Sequence, residues 1–131
     1  MYFLAGIQAN NEGKLLTFEP NSVWAKLAQK NLSQISNRFD LTVGTFEKKI
    51  DSVLQQGETI DMAFIDAIHT KEFVIPQLDI VVARSSKKAI IILDDINFSD
   101  NMKECWNYVS ADRRFSSSVT LGDRVGILEL K

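Results

Sequence analysis

Apolar runs alternate along the chain with stretches of helical spacing, and this alternation is its dominant structural signal. Residues 2–11 read as a short helix with Phe3, Leu4 and Ile7 on one face, ended by the Asn and Gly of residues 11–13. Residues 15–19 (LLTFE) read as a strand closing on an acid. Pro20 and Asn21 turn the chain, and Asn21 or Ser22 can cap a helix expected to bury Val23, Trp24, Leu27, Ala28, Leu32 and Ile35. A second strand is expected over residues 41–45 (LTVGT), followed by a short helix carrying Phe46, Ile50, Val53 and Leu54. Residues 60–66 (IDMAFID) form an apolar run continuous enough to predict a strand buried on both faces.

Thr70 is placed to cap a helix carrying Val74, Leu78, Val81 and Val82, in which Pro76 predicts a kink or a late start. Residues 89–94 (AIIILD) are the most hydrophobic run and predict a central strand. Ser99 can cap the next helix, whose Met102, Cys105, Trp106 and Val109 share a face. Beyond that helix the alternation with helical segments stops. Residues 116–121 and 124–130 read as two strands joined by a tight turn at Gly122 and Asp123, hence antiparallel. The expected architecture is α/β: a Rossmann-like, mostly parallel sheet with helices on both faces, finished by an antiparallel hairpin. At 131 residues one domain is expected.

Composition narrows the partners. A net charge of -2 with scattered lysines gives no electrostatic case for nucleic acid or an anionic membrane surface. The lone Cys105 permits no internal disulfide, and its place in an apolar helical pattern reads as a core thiol rather than a nucleophile. With no long apolar span and no basic leader at the N-terminus, a cytoplasmic protein is expected.

Three of the four expected parallel strands end in carboxylates: Glu19, Asp66, and the pair Asp94 and Asp95. Open α/β sheets bind ligands outside the carboxyl ends of their strands. Acids gathered there repel one another unless they meet hydroxyls, a cation or a cationic ligand. Each alone could simply cap a following helix; as a set they point to a site. Glu19, with Pro20 and Asn21 directly after it, stands where an acid can accept two hydrogen bonds from a ribose diol.

The segments LLTFEPN, LTVGTFEK, IDMAFIDAIHTKE, AIIILDDI and RVGILEL carry a resemblance to the class I S-adenosylmethionine-dependent methyltransferases, in the branch of small O-methyltransferases. IDMAFIDAIHTKE followed by IILDD is its most specific part, and the resemblance covers residues 15–131. It implies S-adenosylmethionine as cofactor and a small-molecule acceptor. Glu19, followed by Pro20 and Asn21, would hold the ribose, Thr45 and Phe46 would border the adenine, and Asp66 would lie near the methionine part. His69 falls where catechol-type enzymes carry a catalytic lysine, and an imidazole suits general-base work near neutral pH. The bland reading of His69 is a helix-entry residue beside Thr70; that of Phe46 is plain core.

Asp66 and Asp95 match metal-binding acids of metal-dependent members, but Ile96 stands where those enzymes have a metal-binding asparagine. The family's glycine-rich turn after its first strand has no counterpart, since Gly6 and Gly13 are isolated and follow no apolar run. The resemblance therefore implies an N-terminally shortened domain. A mid-sheet strand would be missing between those ending at Glu19 and Asp66: either these two pair directly, or another chain fills the gap, or the natural protein is longer, and homo-oligomerisation is expected to cover any open edge. Two further readings stay open: a non-catalytic binding or assembly module that lost the cofactor turn, and a dinucleotide-binding domain. The missing glycines and the hairpin ending argue against the second of these.

Overall fold

Helices and strands alternate as the pattern predicts in the computed structural model, which describes residues 1–131. In chain order they are α1 (Tyr2–Asn10), β1 (Leu15–Glu19), α2 (Ser22–Leu32), β2 (Phe39–Val43), α3 (Phe46–Val53), β3 (Ile60–Ile65), α4 (Lys71–Arg84), β4 (Ser85–Leu93), α5 (Asp100–Ser110), β5 (Phe115–Leu121) and β6 (Val125–Leu130). The α/β class is the expected one. The strands do not all join one sheet, however: β1 pairs with β2 in parallel, and β3-β4-β6-β5 form a second sheet. The strand that the resemblance implies between β1 and β3 has no counterpart among these elements, so each keeps a single partner. The chain divides into two units, Met1–Gln55 and Gln56–Lys131.

In the first unit, α1 ends where Asn11 takes the left-handed conformation (φ 55), and its N–H returns to the Gln8 carbonyl. The loop before β2 is tied to α1 by the Ser36 hydroxyl donating to Gln8 and the Arg38 guanidinium donating to Asn11. Strand β2 starts two residues earlier than expected, because Phe39 and Asp40 pair with Leu15 and Leu16. Helix α2 is capped by Asn21, whose Oδ1 accepts from the Val23 and Trp24 N–H groups at 2.9 and 3.2 Å. Its buried face is only partly the expected one: Leu32 is buried and Ala28 half-buried as expected. Ala25 and Leu32 point inward, while Val23 and Trp24 are 72% and 60% exposed and Leu27 is exposed as well. Residues 25, 28 and 32 form one stripe at helical spacing, and 23, 24 and 27 form the opposite one. A two-stranded ladder covers one such stripe, not both.

In the second unit, β4 is central, paired in parallel with β3 and antiparallel with β6. Its Ala89, Ile91 and Leu93 alternate inward, and Ile91 faces the fully buried Leu128 of β6. Each large apolar side chain so buried contributes about 1.5–3 kcal/mol. Strand β4 begins at Ser85, ahead of the expected Ala89. The register with β3 jumps from Ile60↔Ser85 to Met62↔Ile90, and Lys88 takes φ 65 at that bulge. The expected burial of β3 on both faces does not hold. It is an edge strand of this sheet, and Met62 and Phe64 are exposed on the face opposite Ala63 and Ile65.

Helix α4 starts at Lys71, so Pro76 does not delay it. Burial of Val74, Leu78 and Val81 outweighs the roughly 3 kcal/mol that an internal proline costs. Thr70 provides no side-chain cap; Asn101 of α5 does so instead, its Oδ1 accepting the Lys71 N–H at 2.6 Å. Helix α5 presents Met102, Cys105 and Val109 to the core, and Ser99 caps it by accepting the Met102 N–H. Burial pushes the Cys105 thiol pKa up, as befits a core thiol. No helix is long and apolar enough to cross a membrane.

The hairpin of β5 and β6 closes at Leu121↔Val125, which leaves residues 122–124 as its loop, one more than the expected two-residue turn. Gly122 enters that loop with φ 56. At Gly126 the indole of Trp106 lies so close that an added Cβ would sit 2.3 Å from its ring. Gly126→Ala should therefore destabilise this unit by about 1–3 kcal/mol in urea melts, and Trp106→Leu in the same chain should restore part of the loss.

After α5, Arg114 donates to Asp112 and Asp79 at 2.8 Å each. The hydrogen bond from Arg114 holds the Asp112 carboxyl below its ordinary value of 3.8. A depressed carboxyl stabilises the fold fully above its unfolded value, and that contribution is lost as pH falls through the folded one. The urea-midpoint difference between wild type and Asp112→Asn should thus be full at neutral pH and shrink on acidification below about pH 4.

Candidate functional site

The expected residues fall into two clusters, one in each unit. In the first unit, Glu19 closes β1, and its carbonyl accepts the Gly44 N–H at 3.1 Å just past the end of β2. Its carboxylate Oε1 accepts the Asn21 N–H at 2.8 Å. That bond and the Asn21 cap fix the loop at Pro20 and point a half-buried carboxylate out of the strand end with Oε2 available. Gly44 turns the chain out of β2 with φ 142, a region open mainly to glycine. Thr45 and Phe46 follow it at the start of α3. The Phe46 ring meets Phe18 of β1 edge to face at 5.4 Å and stays partly exposed.

In the second unit, Asp66 follows β3, and Asp94 and Asp95 follow β4; the Asp94 N–H donates to the Ile65 carbonyl at 3.1 Å, which sets these ends side by side. His69 lies between the acids, its Nε2 3.8 Å from Asp66 Oδ1 and 3.6 Å from Asp95 Oδ2. Its ring sits against the exposed Phe98, centroids 5.2 Å apart.

Arg124, from the hairpin loop, joins the cluster. Its Nε and Nη2 donate to Asp94 Oδ1 and Oδ2 at 3.1 Å each, and its Nε lies 2.9 Å from Asp95 Oδ1. The hydrogen bonds from Arg124 lower the Asp94 pKa, and those same bonds raise the pKa of Arg124. Asp95 holds a left-handed backbone (φ 51), and the Ile96 N–H that follows donates to the Arg124 carbonyl at 2.9 Å.

Sequence reasoning misses Arg124 and Phe98. The hydrophobic pattern places Arg124 in the last strand, and only a three-residue loop brings its side chain back to the acid pair. The available signal is one cation following Gly122 and Asp123 in a hairpin that ends beside an Asp-Asp pair. A groove of about 400 Å³ lies nearby, along α4 and α5, lined by Lys71, Glu72, Ile75, Pro76, Asn101 and Glu104, and it contains none of the candidate residues.

The acids do not fit a divalent cation. Asp95 Oδ1 faces Arg124, Ile96 is a buried apolar side chain with no oxygen to offer, and Asp66, His69 and Asp95, though close, are not arranged as a group that could hold a metal ion.

The chain belongs to the methyltransferase domain family, whose model matches residues 1–96. Its fold is similar to an O-methyltransferase from Bacillus cereus solved with SAH (TM-score 0.72, 18% identity, 91% of this chain and 63% of that one). It is also similar to the O-methyltransferase TomG from Streptomyces achromogenes, involved in tomaymycin synthesis and solved with SAM (TM-score 0.74, 16% identity, 91% and 62%). A third similar structure is an rRNA methylase from Streptococcus thermophilus (TM-score 0.69, 15% identity, 89% and 73%). The chain thus spans less than two thirds of the length of the first two. No curated protein matches it in sequence.

Proposed function

We propose that the chain carries the fold of an S-adenosylmethionine-dependent O-methyltransferase acting on a small-molecule hydroxyl. The observation that carries this reading is Glu19: a carboxylate at the end of a parallel strand, held by the Asn21 N–H, with its second oxygen available for a ribose diol. Thr45 and Phe46 border the same strand ends and suit an adenine edge. When bound, S-adenosylmethionine supplies an electrophilic methyl carbon on a sulfonium. The residues of this chain hold and orient the reactants and move one proton. His69 Nε2 takes the proton of the acceptor hydroxyl, and the Asp66 and Asp95 carboxylates on either side steady the imidazolium that forms. Asp66 also offers a negative charge to the sulfonium end. Asp66 and Asp95 are not assigned a metal in this scheme.

Glu19→Ala would remove up to two charge-assisted hydrogen bonds, each worth about 1.5–3 kcal/mol. Cofactor affinity measured by calorimetry should fall about tenfold or more. His69→Ala should leave that affinity in place and lower turnover by ~100- to 10,000-fold in a methyl-transfer assay. No binding of S-adenosylmethionine at millimolar concentration would replace this reading with a non-catalytic module of the same fold.

We also propose that copies of the chain associate through the apolar side chains exposed on β3, Met62 and Phe64. Sedimentation should then show a concentration-dependent oligomer, and a clean monomer at high concentration would rule the association out.

A further inference from the structure

We propose that Arg124 is the built-in cation of the His69 site and a positioning residue for His69, standing where a divalent metal would otherwise neutralise the acids. The inference rests on the methyl-transfer reading for its kinetic consequence only; the geometry is independent of it.

Three observations carry it. The Arg124 guanidinium engages both oxygens of Asp94 and lies against Asp95 Oδ1, so one permanent positive charge serves both acids after β4. Asp95 is thereby divided between two partners, with Oδ1 toward Arg124 and Oδ2 toward His69 Nε2 at 3.6 Å. Arg124 also acts through its backbone: its carbonyl accepts the Ile96 N–H at 2.9 Å, beside Asp95 at φ 51, and this aims the Asp95 carboxylate at the imidazole. A metal ion would have to displace the guanidinium to reach Asp95 Oδ1, and Ile96 would give it nothing in return. The Arg124 side chain is 68% exposed, so replacing it removes little packing.

His69 is the one histidine of the chain, so its imidazole resonances can be followed without ambiguity. In Arg124→Met the imidazole resonances should shift, and in Arg124→Lys they should shift less. In Arg113→Met, which removes the same charge from an exposed arginine elsewhere, they should stay in place. Manganese ion added to wild-type chain at stoichiometric concentration should leave the His69 lines sharp. Turnover of Arg124→Met should fall about tenfold to a hundredfold, the range expected when a reacting group is misplaced by an ångström or so. KM for the cofactor should not change, and lysine should restore part of the rate.

Unshifted His69 resonances in Arg124→Met would overturn the positioning role. Broadening of the wild-type His69 lines by manganese would overturn the cation assignment. If the chain binds no S-adenosylmethionine, the methyl-transfer reading fails, and the two resonance experiments still decide the place of Arg124.

Discussion

Like charge at the carboxyl end of β4 is the constraint around which the second unit is arranged. Asp94 Oδ1 and Asp95 Oδ1 both lie near one Arg124 nitrogen, at 3.1 and 2.9 Å. The two oxygens are therefore at most about 6 Å apart, where unit charges at an effective dielectric of ~20 repel by about 3 kcal/mol. Asp66, at the end of the neighbouring strand, adds a third carboxylate on the far side of His69. Acids gathered this closely after β4 are offset by a cation, and here the hairpin brings it. The guanidinium also does what a point charge would not, since its fork takes both oxygens of Asp94 and fixes that side chain's orientation.

How far the sequence discloses this depends on whether a feature is local. Asn21 and Ser99 cap their helices as expected, because the capping residue and its N–H partners lie within three positions of each other. The centrality of β4 follows from AIIIL, a run that only a strand with neighbours on both sides can bury. Thr70 fails as a side-chain cap because Asn101, thirty residues away, supplies the acceptor. The inward face of α2 could be read only in part, because apolar residues lie on two sides of that helix. Only the width of the ladder beneath it decides between them.

The candidate site divides in the same way. Glu19, Asp66 and Asp95 could be found from their places at or just after strand ends, since those places follow from hydrophobic periodicity, whereas His69 came from the family resemblance. Their division between two ladders could not, because it depends on which strands find partners. Arg124 is hidden by a single residue of loop length. In a two-residue turn it would be the first residue of β6, subject to the pleat; in the three-residue loop it is released from the ladder and reaches Asp94 and Asp95.

Packing on one face of the hairpin therefore bears on the chemistry at its tip. Gly126 pairs with Leu93, the last residue of β4, so the register that places Gly126 also places Arg124 beside Asp94 and Asp95. The lack of a side chain at Gly126 lets the Trp106 indole lie directly on β6, and α5 can then stack closely on the strand. A larger residue there would force either the indole or the strand to move, and a moving strand would carry the Arg124 carbonyl and guanidinium away from Ile96 and the two acids. The left-handed backbone of Asp95 costs on the order of 1 kcal/mol and persists only while those contacts over-determine it. The aromatic contact on α5 thus belongs to the same mechanical unit as the imidazole between Asp66 and Asp95, although neither Trp106 nor Gly126 carries any chemistry of its own.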